Sequence, residues 1–176
     1  MSQREVQGNL FLIGFMGAGK SAVSARLHKQ YGMELLEMDQ EIEQREGMTI
    51  PQIFENRGEA YFRKAETELL LELRGRKGMV VSCGGGAAMR EENVKAMKES
   101  GKILLLRAEP ETVLRRVAGN DDRPLLRGRK TPEGIRELME QRRPFYEAAA
   151  DLTVDTDRKS VDEICREILR LLRQED

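Results

Sequence analysis

The eight residues Gly14-Phe15-Met16-Gly17-Ala18-Gly19-Lys20-Ser21 restrict what this chain can fold into more than any other stretch of it. They read G-x-x-x-x-G-K-S, a phosphate-binding loop, which works only between a buried strand and the start of a helix. Both flanks are present. Leu10-Phe11-Leu12-Ile13 is an apolar run suited to a strand, and Ala22 to Tyr31 carries helix formers with Val23 and Leu27 four apart. In such a turn the backbone N–H groups converge on phosphate oxygens, and a side chain at Gly17 or Gly19 would obstruct them. The N-terminus of the following helix adds partial positive charge. Nucleotide contacts are therefore expected from Gly17, Ala18, Gly19, Lys20, Ser21 and Ala22, with the Lys20 ammonium on the outer phosphates and the Ser21 hydroxyl on Mg²⁺.

At 176 residues the chain has room for one domain, 1–176, with a substantial core. Thirty Lys and Arg balance 31 Asp and Glu, leaving a net charge of −1. That gives no global basic field to favour nucleic acid or an anionic membrane, so each arginine has to be read on its own. No apolar run approaches the roughly 20 residues of a membrane helix, and the N-terminus lacks the basic and apolar regions of a signal peptide. A cytoplasmic protein is expected, without nucleic-acid or membrane partners. Cys83 falls in a predicted strand and Cys165 on the apolar side of a predicted helix, which favours buried free thiols over a disulfide or metal site. The single histidine, His28, cannot build a metal cluster and is expected on the surface of the first helix.

Strand-like and helix-like segments alternate along the chain. Strands are predicted at 10–13, 35–38, 79–83, 103–106 and 152–154. Helices are predicted at 22–31, 40–46, 51–57, 60–74, 91–99, 111–118, 135–150 and 161–173. Such alternation implies an α/β domain: a parallel sheet with helices on both faces and its ligands at the carboxyl ends of the strands. One segment breaks the pattern. Residues 119–134 are polar, contain Gly128, Pro124 and Pro132, and are long enough to form a lid.

Four features beyond the phosphate loop fall at strand ends or in loops. Glu37-Met38-Asp39 closes the second strand; in a strand both carboxylates share a face and enter the crevice beside the loop. A phosphotransferase uses carboxylates there to hold Mg²⁺ and to accept the proton of the attacking hydroxyl. The competing reading makes Asp39 the N-cap of the next helix. In Phe62-Arg63-Lys64-Ala65-Glu66, Glu66 either fixes Arg63 as an anion clamp or forms a solvated i,i+3 pair with it, and spacing does not decide. Gly84-Gly85-Gly86 follows a buried strand, where backbone must approach a ligand closely or simply turn. Arg123, inside the lid segment, is placed to swing over the γ-phosphate, and Arg142 lies beyond the lid's far hinge.

Taken together these features resemble the shikimate kinase family over nearly the whole chain. The family's ordered motifs appear here as Gly14–Ser21, Glu37–Asp39, Phe62–Glu66, Val80–Ala87, Arg123–Leu126 and Arg142–Tyr146. The resemblance implies a P-loop domain with a five-stranded parallel sheet and ATP-dependent phosphorylation of the shikimate 3-hydroxyl, on the route to chorismate and the aromatic amino acids. It implies that Asp39 binds the substrate hydroxyl and acts as, or orients, the base. It further implies that Arg63 and Arg142 grip the substrate carboxylate, a task suited to planar bidentate donors. Gly85 and Gly86 match the backbone contacts to substrate, Arg123 the lid arginine and Arg116 the arginine on adenine. The loop carrying Lys159 matches the far side of the adenine site. A monomer is expected.

Position 37 departs from the family's pattern, which has Asp there, and so Glu37 brings a side chain one methylene longer to the metal position. Two other readings stand beside the main one. Another small-molecule kinase of the fold, such as a gluconate kinase, keeps the loop without needing two arginines for one carboxylate. A non-catalytic nucleotide-binding relative keeps Lys20 and loses carboxylates.

Overall fold

The computed structural model describes residues 8–117 and 131–174. Five strands form one all-parallel sheet: β1 (Asn9–Ile13), β2 (Glu34–Glu37), β3 (Met79–Ser82), β4 (Gly101–Arg107) and β5 (Leu152–Asp155), in the spatial order β2-β3-β1-β4-β5. Every residue of β1 and β3 is buried, as a parallel sheet covered on both faces demands. Register follows from these apolar runs, with Leu10 beside Val80 on one side and Lys102 on the other.

The connecting helices are α1 (Lys20–Tyr31), α2 (Met38–Glu46), α3 (Ile50–Arg57), α4 (Glu59–Glu72), α5 (Glu91–Ser100), α6 (Pro110–Val117), α7 (Pro132–Ala149) and α8 (Val161–Gln174). α1 packs with α8, and α5 lies against β4 together with α4. Leu69, Leu70 and Leu73 are buried as their spacing predicts, and both cysteines are buried free thiols. His28 is exposed. No helix of the described residues is long and apolar enough to cross a membrane.

From β1 the chain passes to β2 and β3 on one flank and to β4 and β5 on the other. The carboxyl end of β1 is therefore the point where strand order reverses, the place such sheets leave open for a ligand. Gly14 leaves β1 there at φ +148°, and a Cβ on it would lie 2.4 Å from the Leu106 carbonyl oxygen of β4. Only glycine lets the loop pass that close. One buried polar group ties the same strand at its other end: Asn9, fully buried, donates from Nδ2 to the Arg76 carbonyl at 2.9 Å and accepts from the Met79 amide at 3.2 Å. These bonds satisfy backbone groups at the start of β3 that would otherwise be orphaned.

Three sequence expectations change. β2 ends at Glu37, and α2 begins at Met38, so Asp39 lies in the first turn of a helix and not on a strand face. Asp39 is not the N-cap either: that position belongs to Glu37, in extended geometry. At the far hinge, α7 starts at Pro132, because Thr131 caps it by accepting from the Gly134 amide at 3.1 Å and proline suits a first turn. Residues 132–134, expected in the lid, are helical. Arg123 and the rest of that segment to position 130 lie outside the described residues.

Candidate active site

Some helix starts here gain a side-chain cap. Thr49 caps α3 within a reciprocal capping box with Gln52, and Thr131 caps α7. α1 has none: its N-cap is Gly19, at φ +101°, which, like Gly58 before α4, has no side chain to offer. The first amides of α1 are thus directed at whatever sits before them, with the helix dipole behind, the arrangement that receives an anion. Arg116 of α6 reaches over the same loop and donates to the Gly17 carbonyl at 2.9 Å. Lys20 folds back onto the loop, its ammonium donating to the carbonyls of Gly14 and Phe15.

Beside the loop opens a cavity of about 530 Å³, ample for a small-molecule ligand. Gly17, Gly19, Lys20, Ser21 and Ala22 line one wall, Glu37 and Asp39 another, and Ser82, Gly84 and Gly85 a third. Although Asp39 is helical, both residues of the Glu37–Asp39 pair line this cavity. The sharp turn from β2 into α2 achieves what a strand alternation was expected to do. Glu37 turns its carboxylate to α1, accepting from Ser21 Oγ at 3.2 Å and from Ser24 Oγ at 3.0 Å.

The three glycines after β3 do separate jobs. A Cβ on Gly84 would lie 2.6 Å from Glu66 Oε2 and 3.1 Å from Asp39 Oδ1. One on Gly85 would lie 3.0 Å from Arg142 Nη1, and one on Gly86 only 2.4 Å from Arg63 Nη1. A plain turn needs no such triplet. Here α2, α4 and α7 each push a charged side chain against the bare backbone. Tyr146, on α7, donates its hydroxyl to the Gly85 carbonyl and fixes the turn from the other side.

Arg63 and Arg142 therefore meet across this turn from helices far apart in sequence. Arg63 donates to Glu66 Oε1 at 2.7 Å and also pairs with Glu59. Glu66 is fully buried, so this is not the solvated pair of the bland reading. Burial pushes the Glu66 carboxyl above its ordinary value; Arg63 pulls it back, and the charge of Asp39 adds to the rise. Arg142 is 7% exposed and lies over the Phe15 ring of the phosphate loop at 5.6 Å. Its Nη1 is buried and makes no hydrogen bond among the described residues, and the same holds for Glu66 Oε2. Buried charged atoms without partners are costly, and they mark a place built to receive polar groups of a ligand.

Not every expected residue comes to this cavity. Ala18, Arg63, Gly86 and Arg142 are not on the cavity wall, the arginines lying behind the glycine turn; Lys159, also absent from it, donates to Glu167 of α8 at 2.7 Å. Its loop is nonetheless pinned at α6: Asp157 accepts from the Glu109 amide and from the Thr112 hydroxyl at 2.6 Å. Sequence reading passed over Ser24, whose position three residues after Ser21 puts it on the same helical face. It also passed over the fully buried Asn93, which donates to the Ala87 carbonyl just after the glycines and accepts from Thr67 of α4. No motif marks Asn93, because its partners lie on the turn after β3 and on α4.

The whole chain, and not this site alone, can be set beside known proteins. The family model described as Shikimate kinase matches residues 16–173. The shikimate kinase of Persephonella marina is 43% identical over 165 residues, covering 94% of this chain and 99% of that protein. That of Dehalococcoides mccartyi is 39% identical over 170 residues, covering 97% and 96%. Among solved structures, shikimate kinase from Acinetobacter baumannii in complex with shikimate matches with a TM-score of 0.92 at 37% identity, over 98% of this chain and 96% of that one. A gluconokinase from Sinorhizobium meliloti, at a TM-score of 0.61 and 18% identity, shares the fold alone. With the family's model and its relatives matching nearly end to end, this chain belongs to the shikimate kinase family.

Proposed function

We propose that this protein transfers the γ-phosphoryl group of ATP to the 3-hydroxyl of shikimate, within chorismate biosynthesis, and that it acts as a cytoplasmic monomer. The observation that supports this reading best is the meeting of Arg63 and Arg142 across Gly85 and Gly86, with Asp39 at the same turn. Two guanidinium groups suit one carboxylate, and a carboxylate base beside them suits a hydroxyl on the same small ring. A polyol acid without a rigid ring would have to freeze several rotatable bonds to place both groups at once.

In this reading the α1 N-terminus and Lys20 take the β- and γ-phosphates, neutralising charge that spreads over the transferring group. Asp39 orients the substrate hydroxyl and accepts its proton as the new P–O bond forms. Arg116 flanks the nucleotide over Gly17, and Lys159 holds the loop on the far side of the base. Arg123 completes the phosphate contacts; this role rests on its sequence motif. The oxygen donors at the loop suit Mg²⁺: the Ser21 hydroxyl, and Glu37 behind it. No three His, Cys, Asp or Glu side chains converge among the described residues, so its other ligands would be phosphate and water. Bound with ATP, Mg²⁺ supplies charge neutralisation on the phosphates.

The test is ADP release with ATP and Mg²⁺ over shikimate, quinate, gluconate and nucleoside monophosphates. Shikimate is expected to be turned over far better than the rest. Equal or greater turnover of gluconate would overturn the assignment.

A further inference from the structure

We infer that Ser24 is a positioning residue, which holds Glu37 so that the Ser21 hydroxyl presents its lone pairs to the cation accompanying the nucleotide; this rests on the role proposed above for Ser21 and Glu37. Glu37 occupies the N-cap of α2, yet its carboxylate makes no capping bond there. It crosses to α1, where two hydroxyls meet it, one on each oxygen: Ser21 on Oε2 and Ser24 on Oε1. The two serines differ in surroundings. Ser21 is exposed at the cavity, whereas Ser24 is fully buried beneath it. A hydroxyl that deep needs an acceptor. Ser24 Oγ also lies 3.0 Å from the Ser21 carbonyl, but one hydroxyl carries one proton, and a carboxylate is the stronger acceptor.

The consequence concerns Ser21. A hydroxyl ligates a cation through a lone pair, so its proton must be directed elsewhere. Glu37 Oε2 takes that proton only while the carboxylate faces α1. Glutamate has an extra rotatable bond compared with aspartate, and an untethered carboxylate at this edge would sample other positions. Ser24 supplies the tether from the buried side. A shorter carboxylate at position 37, set back by roughly one C–C bond of about 1.5 Å, would not span both serines. The hydroxyl at position 24 should therefore matter only when position 37 carries glutamate.

Calorimetric titration of the full chain with ADP over a series of Mg²⁺ concentrations tests this without turnover. Ser24→Ala is expected to raise the Mg²⁺ concentration for half-maximal enhancement of ADP affinity by about 3–10-fold, below or at the lower end of the usual loss for outer ligand-orienting groups. ADP affinity in EDTA and shikimate affinity should each stay within about two-fold, which a general loosening of α1 would not allow. In a chain carrying Glu37→Asp, Ser24→Ala should produce no further shift. Ser21→Ala and Glu37→Ala serve as the reference. If they raise the Mg²⁺ midpoint and Ser24→Ala does not, or if Ser24→Ala acts equally in the Glu37→Asp chain, the inference fails while the metal reading stands. If neither reference moves the midpoint, the metal reading itself falls and takes the inference with it. Should Ser24→Ala unfold, the near-isosteric Ser24→Thr and Ser24→Val differ only in the hydroxyl. A higher midpoint for Val than for Thr supports the tether, and equal midpoints overturn it.

Discussion

Gly86→Ala isolates one contact in this site. Gly86 has φ −98° and ψ 0°, a conformation open to alanine, so the backbone need not move. The new methyl would lie 2.4, 2.6 and 2.7 Å from Nη1, Cζ and Nη2 of Arg63. Ordinary contact begins near 3.4 Å, so the guanidinium must retreat by about 1 Å. Two consequences follow, with different sizes. For stability, alanine gains about 0.4–1 kcal/mol by restricting the unfolded chain. Against this, the pair with Glu66 is strained, but Arg63 is the far end of a flexible side chain and keeps Glu59 within reach. The net change in Tm should be a few degrees at most. For function, a carboxylate–guanidinium contact is worth about 1.5–3 kcal/mol, and a displacement of about 1 Å forfeits most of it. Shikimate KM should rise by about 10–100-fold, with ATP KM nearly unchanged. Initial rates over both substrates, together with a thermal melt of the same preparation, provide the assay. A wild-type shikimate KM in a folded variant would refute both the role of Arg63 and the reason for the third glycine.

The remaining expectations touch other parts of the molecule. Asp39→Asn should retain ATP binding and lose about 10²–10⁴ in kcat, measured by coupled ADP release, because it removes a positioned proton acceptor; near-native turnover would make Asp39 a structural residue of α2. Asn9→Leu should lower stability by about 2–4 kcal/mol in urea unfolding, since the Met79 amide and Arg76 carbonyl lose a buried partner. Glu66 tests linkage: its folded value is raised, so the native state holds the extra proton, and stability relative to Glu66→Gln should fall as pH rises from about 4.5 through the raised value. The opposite slope would mean that Arg63 outweighs burial.

What the sequence disclosed depended on whether partners were neighbours along the chain. The turn from β1 into α1 was legible because strand, glycines, lysine and helix are contiguous. The alternation of elements gave the parallel sheet, but not where β2 stops. Four residues of strand and the first turn of α2 share the same short run, and the extended Glu37 is the only break between them. Asp39 was thus placed in the right cavity by the wrong geometry. At Arg63 and Glu66 the i,i+3 spacing was silent, because the same spacing serves an exposed pair and a buried one. Burial under Gly84 and Gly86 decides it, and that packing joins residues on separate elements.

The glycine triplet shows why such sites stay half-hidden. Each glycine looked dispensable alone, since one is enough for a turn. Its necessity lies in what approaches it: Asp39 from α2, Glu66 and Arg63 from α4, and Arg142 from α7. A helix can present a charged side chain to bare backbone at about 3 Å only if no Cβ intervenes, and three helices cannot share one glycine. The turn therefore sets the spacing between the proposed base and the two arginines. A ligand with a hydroxyl and a carboxylate on one rigid frame is measured against that spacing. Phe15 links this measure to the phosphate loop, since its ring lies under Arg142. In the proposed reading, the arginine that receives the acid therefore rests on the loop that receives the phosphate.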